Sequence, residues 1–385
     1  MNNTRRQAAF IFAKWLVTRD FPATMLPQSG PDRSFIQDLV YTTIRHFRSL
    51  KFVLSQLVRT WPKGEMESLL YIGAAQILYL PSVPDFAAVS ETVDAAKECA
   101  NPSIPKVVNG VLRNLIRRRE ELENSLAHAP LAIRESFPDA LVDRWTERFG
   151  FENAKELCAY HNRPADTFLA FPDGSFKQLP RGHRVETEPG FAEGAFIVQD
   201  PGTKLAISLL APAPGEKILD ACAAPGGKSV QIAWRGADLV ACEVNPRRRR
   251  RLEENLKRVR LDDKVQVSAS LGDLPPAAFD KVLVDAPCSN TGVFRRRPDA
   301  RWNWDREKLV VLCRMQREIL SEARAKVKPG GLLVYSTCSL EREENEAQVE
   351  AFLAANPGAT LEGQATSLPF ETQTDGAFAA AIRLP

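Results

Sequence analysis

The chain has 385 residues, of which 44% are hydrophobic and 26% charged, and its formal net charge is +3. This is enough for two or three domains with sizeable cores and is ordinary for a soluble globular protein, and the small basic excess is weak support for an anionic partner. The seven cysteines include no C-x-x-C pair, which argues against a zinc ribbon or a disulfide framework and favours a reducing compartment.

The sequence contains no apolar run of 18 residues and no recognisable signal peptide. We therefore expect a cytoplasmic protein that does not enter a membrane and that binds no metal.

Residues 1–128 are predicted to form an all-helical domain. Apolar residues recur there at the three-to-four-residue spacing of amphipathic helices, and we interpret them as the core of a helix bundle. Four arginines cluster at the end of the last of these helices: Arg113, Arg117, Arg118 and Arg119. For any single one of them, a solvated position is favoured over a contact with RNA.

Residues 129–198 are predicted to be a linker. Two helices are expected within Leu131–Asn162, with Pro138 at a helix start and Gly150 as a helix stop. The segment Arg163–Gln199 is rich in Pro and Gly, and it reads as a connector with a few small strands.

Residues 199–385 alternate between strand and helix patterns. The predicted strands are 217–223, 239–244, 265–270, 281–287 and 331–338, followed by a terminal strand over Ala377–Leu384. This alternation favours an α/β fold with a doubly wound, mostly parallel sheet. Ligands of such sheets bind at the carboxyl ends of the strands, so the residues that follow each strand are the candidates for a site.

The stretch Lys217–Lys228, K-I-L-D-A-C-A-A-P-G-G-K, reads as a strand, a glycine turn and a helix start. It is not a Walker A loop, because Cys222 stands where that motif requires Gly, and the G-x-G-x-x-G fingerprint is absent. Glycines let backbone amides approach a ligand closely. The loop therefore predicts a pocket for a small nucleoside rather than a triphosphate.

Acidic and thiol side chains follow the other strands. Glu243 ends the second strand, at the position where an acid commonly binds the two ribose hydroxyls of a nucleoside. Asp285 and Cys288 follow the fourth strand, and Cys338 follows the fifth. If both strands flank the pocket, two thiols beside a carboxylate suit covalent chemistry on an electron-poor ring.

The chain resembles the Sun-type, RsmB-like RNA cytosine-5 methyltransferases. The matching stretches are V-N-G-V-L-R-N at 108–114, Val198–Thr203, Asp220–Lys228, Asp285–Val293 (D-A-P-C-S-N-T-G-V), Pro298–Trp302, Arg314–Leu320 and Lys328–Asn345, which contains T-C-S and E-E-N. The paired cysteines of D-A-P-C and T-C-S are specific to this group. The first 128 residues look like the NusB-type domain of its bacterial members.

The resemblance implies a Rossmann-like class I methyltransferase fold with S-adenosylmethionine (SAM) as cofactor. The implied cofactor-binding residues are Cys222, Ala223, Ala224, Pro225, Gly226, Gly227, Lys228, Glu243 and Asp285. The implied catalytic residues are Cys338, Cys288, Asp285 and Lys228. In this scheme Cys338 adds to carbon-6 of cytosine, Asp285 bonds the base edge, Cys288 assists proton removal or release, and Lys228 polarises cofactor or base. The base must be unpaired or flipped to reach such a site.

Two departures from the family pattern are visible. The third strand leaves the adenine-side residue open between Ser270 and Asp273. The connector Arg163–Gln199 is shorter than the RNA-contacting insert of most members, which leaves the RNA target open.

Two basic segments suit a polyanion. Arg247–Arg251 lies at a helix start, so its side chains spread over all faces and some are expected to be solvated. The loop Phe294–Arg297, followed by Arg301 and Trp302, comes directly after D-A-P-C-S-N-T-G-V. Arginine and tryptophan there predict phosphate binding and base stacking, so we expect this loop to contact RNA.

The sequence thus predicts a monomeric RNA cytosine-5 methyltransferase that acts on small-subunit ribosomal RNA. One alternative is the same chemistry on tRNA, since target choice lies in the connector and the helical domain. A second is a non-catalytic RNA-binding assembly factor, which would need neither thiol.

Overall fold

The computed structural model describes residues 3–385, and these form two compact units. One unit contains the chain up to Arg163 together with Arg297–Asn303. The other contains Pro164–Arg296 and Trp304–Pro385. The first two residues of the predicted helical domain 1–128 lie outside the described residues.

The first unit is all helical. Its helices are α1 (Thr4–Thr18), α2 (Arg33–Arg45), α3 (Phe47–Ser55), α4 (Glu65–Tyr79), α5 (Asp85–Lys97), α6 (Ile104–Arg117), α7 (Arg119–Ala127), α8 (Leu131–Arg134), α9 (Asp139–Phe149) and α10 (Phe151–Asn162). The apolar stripes seen in the sequence meet in one core, where Phe12, Trp15, Phe47 and Tyr71 form an aromatic cluster. Aromatic side chains of this size dominate the burial that stabilises a bundle.

The segment 131–162 holds three helices rather than the predicted two. A single turn, α8, precedes Pro138, and Pro138 then caps α9 as the sequence suggested. Gly150 ends α9 with a φ of 81° and directly precedes α10. These helices belong to the first compact unit, whose longer segment ends at Arg163.

The prediction that Arg301 contacts RNA is wrong, because its side chain is buried within the helical unit. Arg301 is fully buried, and its guanidinium donates to the Ser136 and His161 carbonyls at 3.3 and 3.2 Å and to Asn162 Oδ1 at 2.9 Å. The Trp302 indole N–H donates to a backbone carbonyl of α2 at 2.9 Å. A buried guanidinium is tolerated when hydrogen bonds compensate for its lost hydration in this way.

The second unit begins with a small antiparallel sheet of order β2-β1-β3, formed by β1 (Thr167–Ala170), β2 (Phe176–Leu179) and β3 (Ile197–Val198). These are the small strands expected in the connector. They pack around a local core of Leu169, Leu179 and Phe196.

The large sheet has seven strands in the order β6-β5-β4-β7-β8-β10-β9. They are β4 (Lys217–Asp220), β5 (Asp238–Cys242), β6 (Val265–Ser268), β7 (Phe279–Asp285), β8 (Val327–Thr337), β9 (Thr360–Ser367) and β10 (Ala377–Arg383). The pairs β6–β5, β5–β4, β4–β7 and β7–β8 are parallel, whereas β10 runs antiparallel to both its neighbours. The mostly parallel, doubly wound sheet is confirmed.

The helices of this unit are α11 (Lys204–Leu210), α12 (Gly227–Trp234), α13 (Pro246–Arg258), α14 (Arg306–Arg324), α15 (Glu346–Ala355) and α16 (Pro369–Thr372). One apolar core contains residues of α12 and α13, and a second apolar core contains residues of α14 and α15. Such cores cover the two faces that a parallel sheet must bury.

Two details of the sheet differ from the sequence prediction. Four of the predicted strands extend two or three residues too far at the carboxyl end, because the chain leaves the strands at Ala221, Glu243, Ala269 and Ala286 to form the site loops. The edge strand β9 was not predicted. No helix among residues 3–385 is long and apolar enough to cross a membrane.

Candidate active site

The loop after β4 is shaped by its glycines. Gly226 has a φ of 107°, and a Cβ there would lie 2.9 Å from a methyl carbon of Leu252. A side chain is therefore excluded on both backbone and steric grounds. At Gly227 a Cβ would come within 3.1 Å of the Gln199 amide, so the start of α12 also has little room. Backbone amides at such a helix start can bind the polar groups of a ligand.

Asp220, the last residue of β4, is a buried carboxyl group at the base of this loop. Its Oδ2 accepts from the Ser229 hydroxyl at 2.7 Å, while Oδ1 is buried without a hydrogen-bond partner among residues 3–385. Burial raises the pKa of Asp220 to about 6 despite the Ser229 bond. A buried acceptor with an unfilled lone pair fits a site that receives donors from a ligand or an ordered water.

Glu243 lies directly after β5 and is buried, with 3% of its surface exposed. Its Oε1 accepts from the Asn245 N–H at 2.9 Å, and Arg248 Nε lies 3.4 Å from Oε2. Arg249 donates to the Glu243 carbonyl at 3.1 Å. Arg248 thus holds the carboxylate of Glu243, and Arg249 holds its backbone. These roles of the arginine run were not predicted from the sequence.

The remaining loop residues are less reactive. Burial raises the pKa of the Cys222 thiol well above its ordinary value, so this cysteine behaves as a small apolar group. Beyond β6, the Ser270 hydroxyl accepts from the Gly272 N–H at 3.0 Å, whereas Asp273 is exposed. The charge of Asp273 adds to the burial that raises the pKa of Cys242 to about 11, so Asp273 lies near the end of β5.

The carboxyl ends of β7 and β8 bring the two predicted cysteines together. Cys288 Sγ and Cys338 Sγ are 3.3 Å apart, although 50 residues separate them in the chain. Both side chains are partly exposed. Asn290 Oδ1 lies 3.4 Å from Cys338 Sγ. The convergence expected from the strand order is therefore present.

Asp285 lies beside this pair in an ion pair with the P-G-G-K lysine. Lys228 Nζ donates to Asp285 Oδ2 at 2.6 Å, and the Ser336 hydroxyl donates to Oδ1 at 2.8 Å. Burial alone would lower the pKa of Lys228, but the Asp285 carboxylate outweighs it and the pKa is raised. A charge on Cys338 raises it further. The Lys228 ammonium and a Cys338 thiolate therefore attract each other.

Cys288 holds its proton firmly. The hydrogen bond with Cys338 and burial raise the pKa of Cys288 well above its ordinary value, and the charges of Cys338 and Glu344 act in the same direction. In the arrangement that these effects favour, the Cys288 S–H donates toward Cys338 Sγ. Cys288 can serve as a proton donor, and Cys338 as the atom that forms the bond to a substrate.

The loop between Asp285 and Arg296 is fixed to other parts of the second unit. Gly292 N–H donates to the Cys338 carbonyl at 2.9 Å, and a Cβ at Gly292 would lie 2.7 Å from that oxygen. Arg296 donates to Asp200 at 2.8 Å and also to Asp375. Phe294 and Arg295 are buried, so they hold the loop in place, and the RNA contact predicted for them is wrong as well.

Sequence reasoning missed several polar residues that hold the site. Ser336 positions Asp285, and Glu344 accepts from the serines that follow both cysteines. Glu344 lies in the E-E-N stretch, which resembles the family pattern but was assigned no role from sequence. Among residues 3–385, no group of three or more His, Cys, Asp or Glu side chains could hold a metal ion.

Comparisons with known proteins decide the family. Residues 207–383 match the family model described as 16S rRNA methyltransferase RsmB/F, and residues 2–117 match the NusB family. Ribosomal RNA small subunit methyltransferase B of Salmonella arizonae is 35% identical, over 91% of this chain and 90% of the relative. The chain belongs to the RsmB/F family of 16S rRNA methyltransferases.

A second RsmB/F relative extends over almost the whole chain. Ribosomal RNA small subunit methyltransferase B of Vibrio vulnificus is 32% identical over 99% of both chains. The RsmB/F chain is therefore a SAM-dependent RNA methyltransferase preceded by a NusB-type helical domain.

Solved structures share the fold. The crystal structure of PH0851 has a TM-score of 0.78 and 21% identity and covers 98% of both chains. NSun6 from Pyrococcus horikoshii, solved with the ligand SFG, has a TM-score of 0.57 and 20% identity, over 65% of this chain and 98% of that chain. At these identities the likeness concerns the fold alone.

Proposed function

We propose that this RsmB/F protein methylates carbon-5 of a cytosine in 16S rRNA through a covalent bond between Cys338 and carbon-6 of the base. The observation that carries the proposal is the 3.3 Å separation of the Cys288 and Cys338 sulfurs beside the Lys228–Asp285 pair. A protein that only bound RNA would have no need for two thiols in contact.

The first step is addition of the Cys338 thiolate to carbon-6. Carbon-5 of cytosine is too weak a nucleophile to accept a methyl group directly, and addition at carbon-6 makes it an enamine carbon. The Lys228 ammonium attracts the negative charge of the Cys338 sulfur. SAM supplies the electrophilic methyl group that carbon-5 attacks.

Asp285 and Cys288 act on protons in this scheme. The Asp285 carboxylate, held by Lys228 and Ser336, bonds the base edge near N3 and N4 and favours the electron-poor form of the ring. After transfer the carbon-5 proton leaves, the bond from Cys338 to carbon-6 breaks, and the C5–C6 double bond returns. Cys288 touches Cys338 and donates its proton to the departing sulfur, and the Cys288 thiolate formed in this way takes up the proton that leaves carbon-5.

The cofactor pocket comprises the loop Cys222–Lys228 with Glu243 and Asp285. The loop around Gly226 and Gly227 and the Asp220 oxygen that lacks a hydrogen-bond donor fit a nucleoside with an attached amino acid. In this proposal Glu243 accepts hydrogen bonds from the ribose hydroxyls. For the adenine side we propose Asp273 rather than Ser270, because the Ser270 hydroxyl already caps its own turn.

The NusB-type domain is proposed to recognise RNA, with residues 129–198 as a linker whose part up to Arg163 belongs to the first compact unit and residues 199–385 as the methyltransferase domain. Arg118 and Arg119 pair with Glu121 and Asp85, whereas Arg113 and Arg117 bond only asparagine side chains among residues 3–385. The last two are therefore the arginines available for phosphate. We propose a monomer that acts in the cytoplasm, where ribosomes are assembled.

Incubation with tritiated SAM and unmodified 16S rRNA, followed by bisulfite sequencing, tests the proposal. One cytosine should become resistant to bisulfite conversion in the wild-type reaction. No cytosine should become resistant in the Cys338→Ala reaction. Unmodified tRNA in a parallel reaction tests the alternative target. Label in tRNA alone would contradict the proposed substrate, and label in neither RNA would contradict the proposed activity.

A further inference from the structure

Glu344 is a fully buried carboxyl group with an unusual set of partners. It accepts from the Ser289 N–H at 2.9 Å, from the Ser339 hydroxyl at 2.5 Å, from Gln316 Nε2 at 3.0 Å and from the Ser289 hydroxyl. No ion pair with a basic side chain is found for it within the described chain. Burying such a group costs several kcal/mol unless its lone pairs are filled, as they are here.

The two serines belong to the two cysteine loops. Ser289 directly follows Cys288, and Ser339 directly follows Cys338. Both serines donate to the same carboxylate, and their hydroxyl oxygens are 3.2 Å apart. Glu344 is thus the shared acceptor that joins loops which are 50 residues apart in sequence.

Asn345 strengthens the same attachment on the β8 side. Its Nδ2 donates to the Ser339 carbonyl at 2.9 Å, and its Oδ1 accepts from the Thr337 hydroxyl at 2.6 Å. Asn345 therefore holds the side chain of the residue before Cys338 and the backbone of the residue after it. On the other side, Gln316 links Glu344 to the Pro287 carbonyl at 2.9 Å, next to Cys288.

We propose that Glu344 is a positioning residue that sets the distance between the Cys288 and Cys338 sulfurs and so controls proton transfer between them. The proposal rests on the proposed function for its catalytic meaning. Glu344 accepts no bond from either sulfur, and it acts through the serine next to each. A misplacement of about 1 Å between reacting groups can cost about 100-fold in rate.

The first test measures thiol proximity without RNA or cofactor. The full chain is treated with dibromobimane, which bridges neighbouring thiols, and the Cys288–Cys338 cross-link is quantified by peptide mass spectrometry. Glu344→Gln keeps the shape but loses an acceptor, so its cross-link yield should fall about threefold, and that of Glu344→Ala about tenfold. The control Glu350→Ala removes an exposed acid of α15 that pairs with Arg342, and it should match the wild type.

The second test follows a single turnover on 16S rRNA. Glu344→Gln should bind SAM within about twofold of the wild type, yet release its covalent RNA adduct about tenfold more slowly. A purely structural role predicts a lower free energy of unfolding with unchanged cross-link yield and unchanged adduct release, and this result would overturn the proposal. A lower cross-link yield with normal release would overturn it too.

The two proposals fail in distinguishable ways. If the wild type methylates no cytosine, the proposed function is lost, but the dibromobimane yields still report whether Glu344 sets the thiol distance. If the wild type methylates and Glu344→Gln folds, cross-links and releases like the wild type, the positioning role alone is lost. Circular dichroism and SAM binding establish folding for each variant, and Glu344→Gln remains informative if Glu344→Ala does not fold.

Discussion

The loop Asp285–Val293 and the stretch Phe294–Trp302 follow one another in the chain, and both carry residues typical of an RNA-modifying site. In the first, Asp285 and Cys288 lie partly exposed at a strand end beside Cys338. In the second, Phe294, Arg295 and Arg301 are buried. A reactive side chain predicts a catalytic role when a specific partner side chain lies beside it. A positively charged side chain predicts an RNA contact only once its own partners within the protein are known.

The largest stability effect should come from the buried arginine of the second stretch. Arg301→Ala leaves several buried acceptors without a donor, so we expect a loss of about 3–5 kcal/mol in the free energy of unfolding. Urea unfolding measures this, with Arg306→Ala on an exposed position of α14 as control. Unchanged stability combined with weaker RNA binding would restore the original interpretation of Arg301 as an RNA contact.

Whereas Arg301 is a buried basic residue, Asp220 is a buried acidic one. Burial raises its pKa from 3.8 to about 6. A carboxyl group with a raised pKa contributes most stability below its unfolded pKa of about 4, and loses that contribution as pH rises through about 6. Asp220→Asn should therefore raise the free energy of unfolding at pH 7 by about 1–3 kcal/mol, and the gain should vanish near pH 4.

Chemical denaturation at pH 4, 5, 6 and 7 measures this difference, with exposed Asp238→Asn as control. The same Asp220→Asn variant should bind SAM more weakly, since the pocket loses its unfilled acceptor. A constant difference across the pH range would show that Asp220 is not held with a raised pKa.

Glu243 tests whether a buried acid near the glycine loop serves the cofactor. Glu243→Ala should weaken SAM binding by about 1–3 kcal/mol, the usual loss for hydrogen bonds to a charged group. Calorimetry on the purified chain measures the affinity, and Glu253→Ala on the exposed face of α13 is the control. Equal affinities in both variants would remove Glu243 from the cofactor site.

The smallest effect is expected in the arginine cluster of the helical domain. Arg117→Gln removes an exposed charge that has no acidic partner within residues 3–385, so the slope of RNA affinity against salt should fall by about 1. Arg118→Gln should change that slope less, because Glu121 already neutralises Arg118. Filter binding at several salt concentrations compares them. Equal slopes for both variants would place RNA recognition elsewhere.

Strand order and the site residues could be predicted because they depend on local patterns. Short apolar runs followed by Cys222–Lys228, Glu243 and Asp285–Cys288 mark strand ends, and parallel strands bring such ends to one edge. The edge strand Thr360–Ser367 was missed, since its mostly exposed T-L-E-G-Q-A-T-S lacks an apolar run.

The partners of polar side chains were beyond sequence reasoning. Nothing local in E-E-N indicates that Glu344 accepts from serines near both cysteines, and nothing in R-R-P-D-A-R-W indicates that Arg301 is buried. Such contacts join residues far apart in the chain. They follow from the folded arrangement, whereas periodicity and motif spacing describe only neighbours.

The central claim is that Cys338 forms the bond to the base and Cys288 acts after methyl transfer. The most direct test incubates the wild type, Cys288→Ala and Cys338→Ala with SAM and labelled 16S rRNA, followed by denaturing electrophoresis. We predict that Cys288→Ala accumulates a covalent protein–RNA adduct carrying the transferred methyl group, while Cys338→Ala forms no adduct and transfers no methyl group. An adduct in Cys338→Ala would contradict the account and identify Cys288 as the nucleophile.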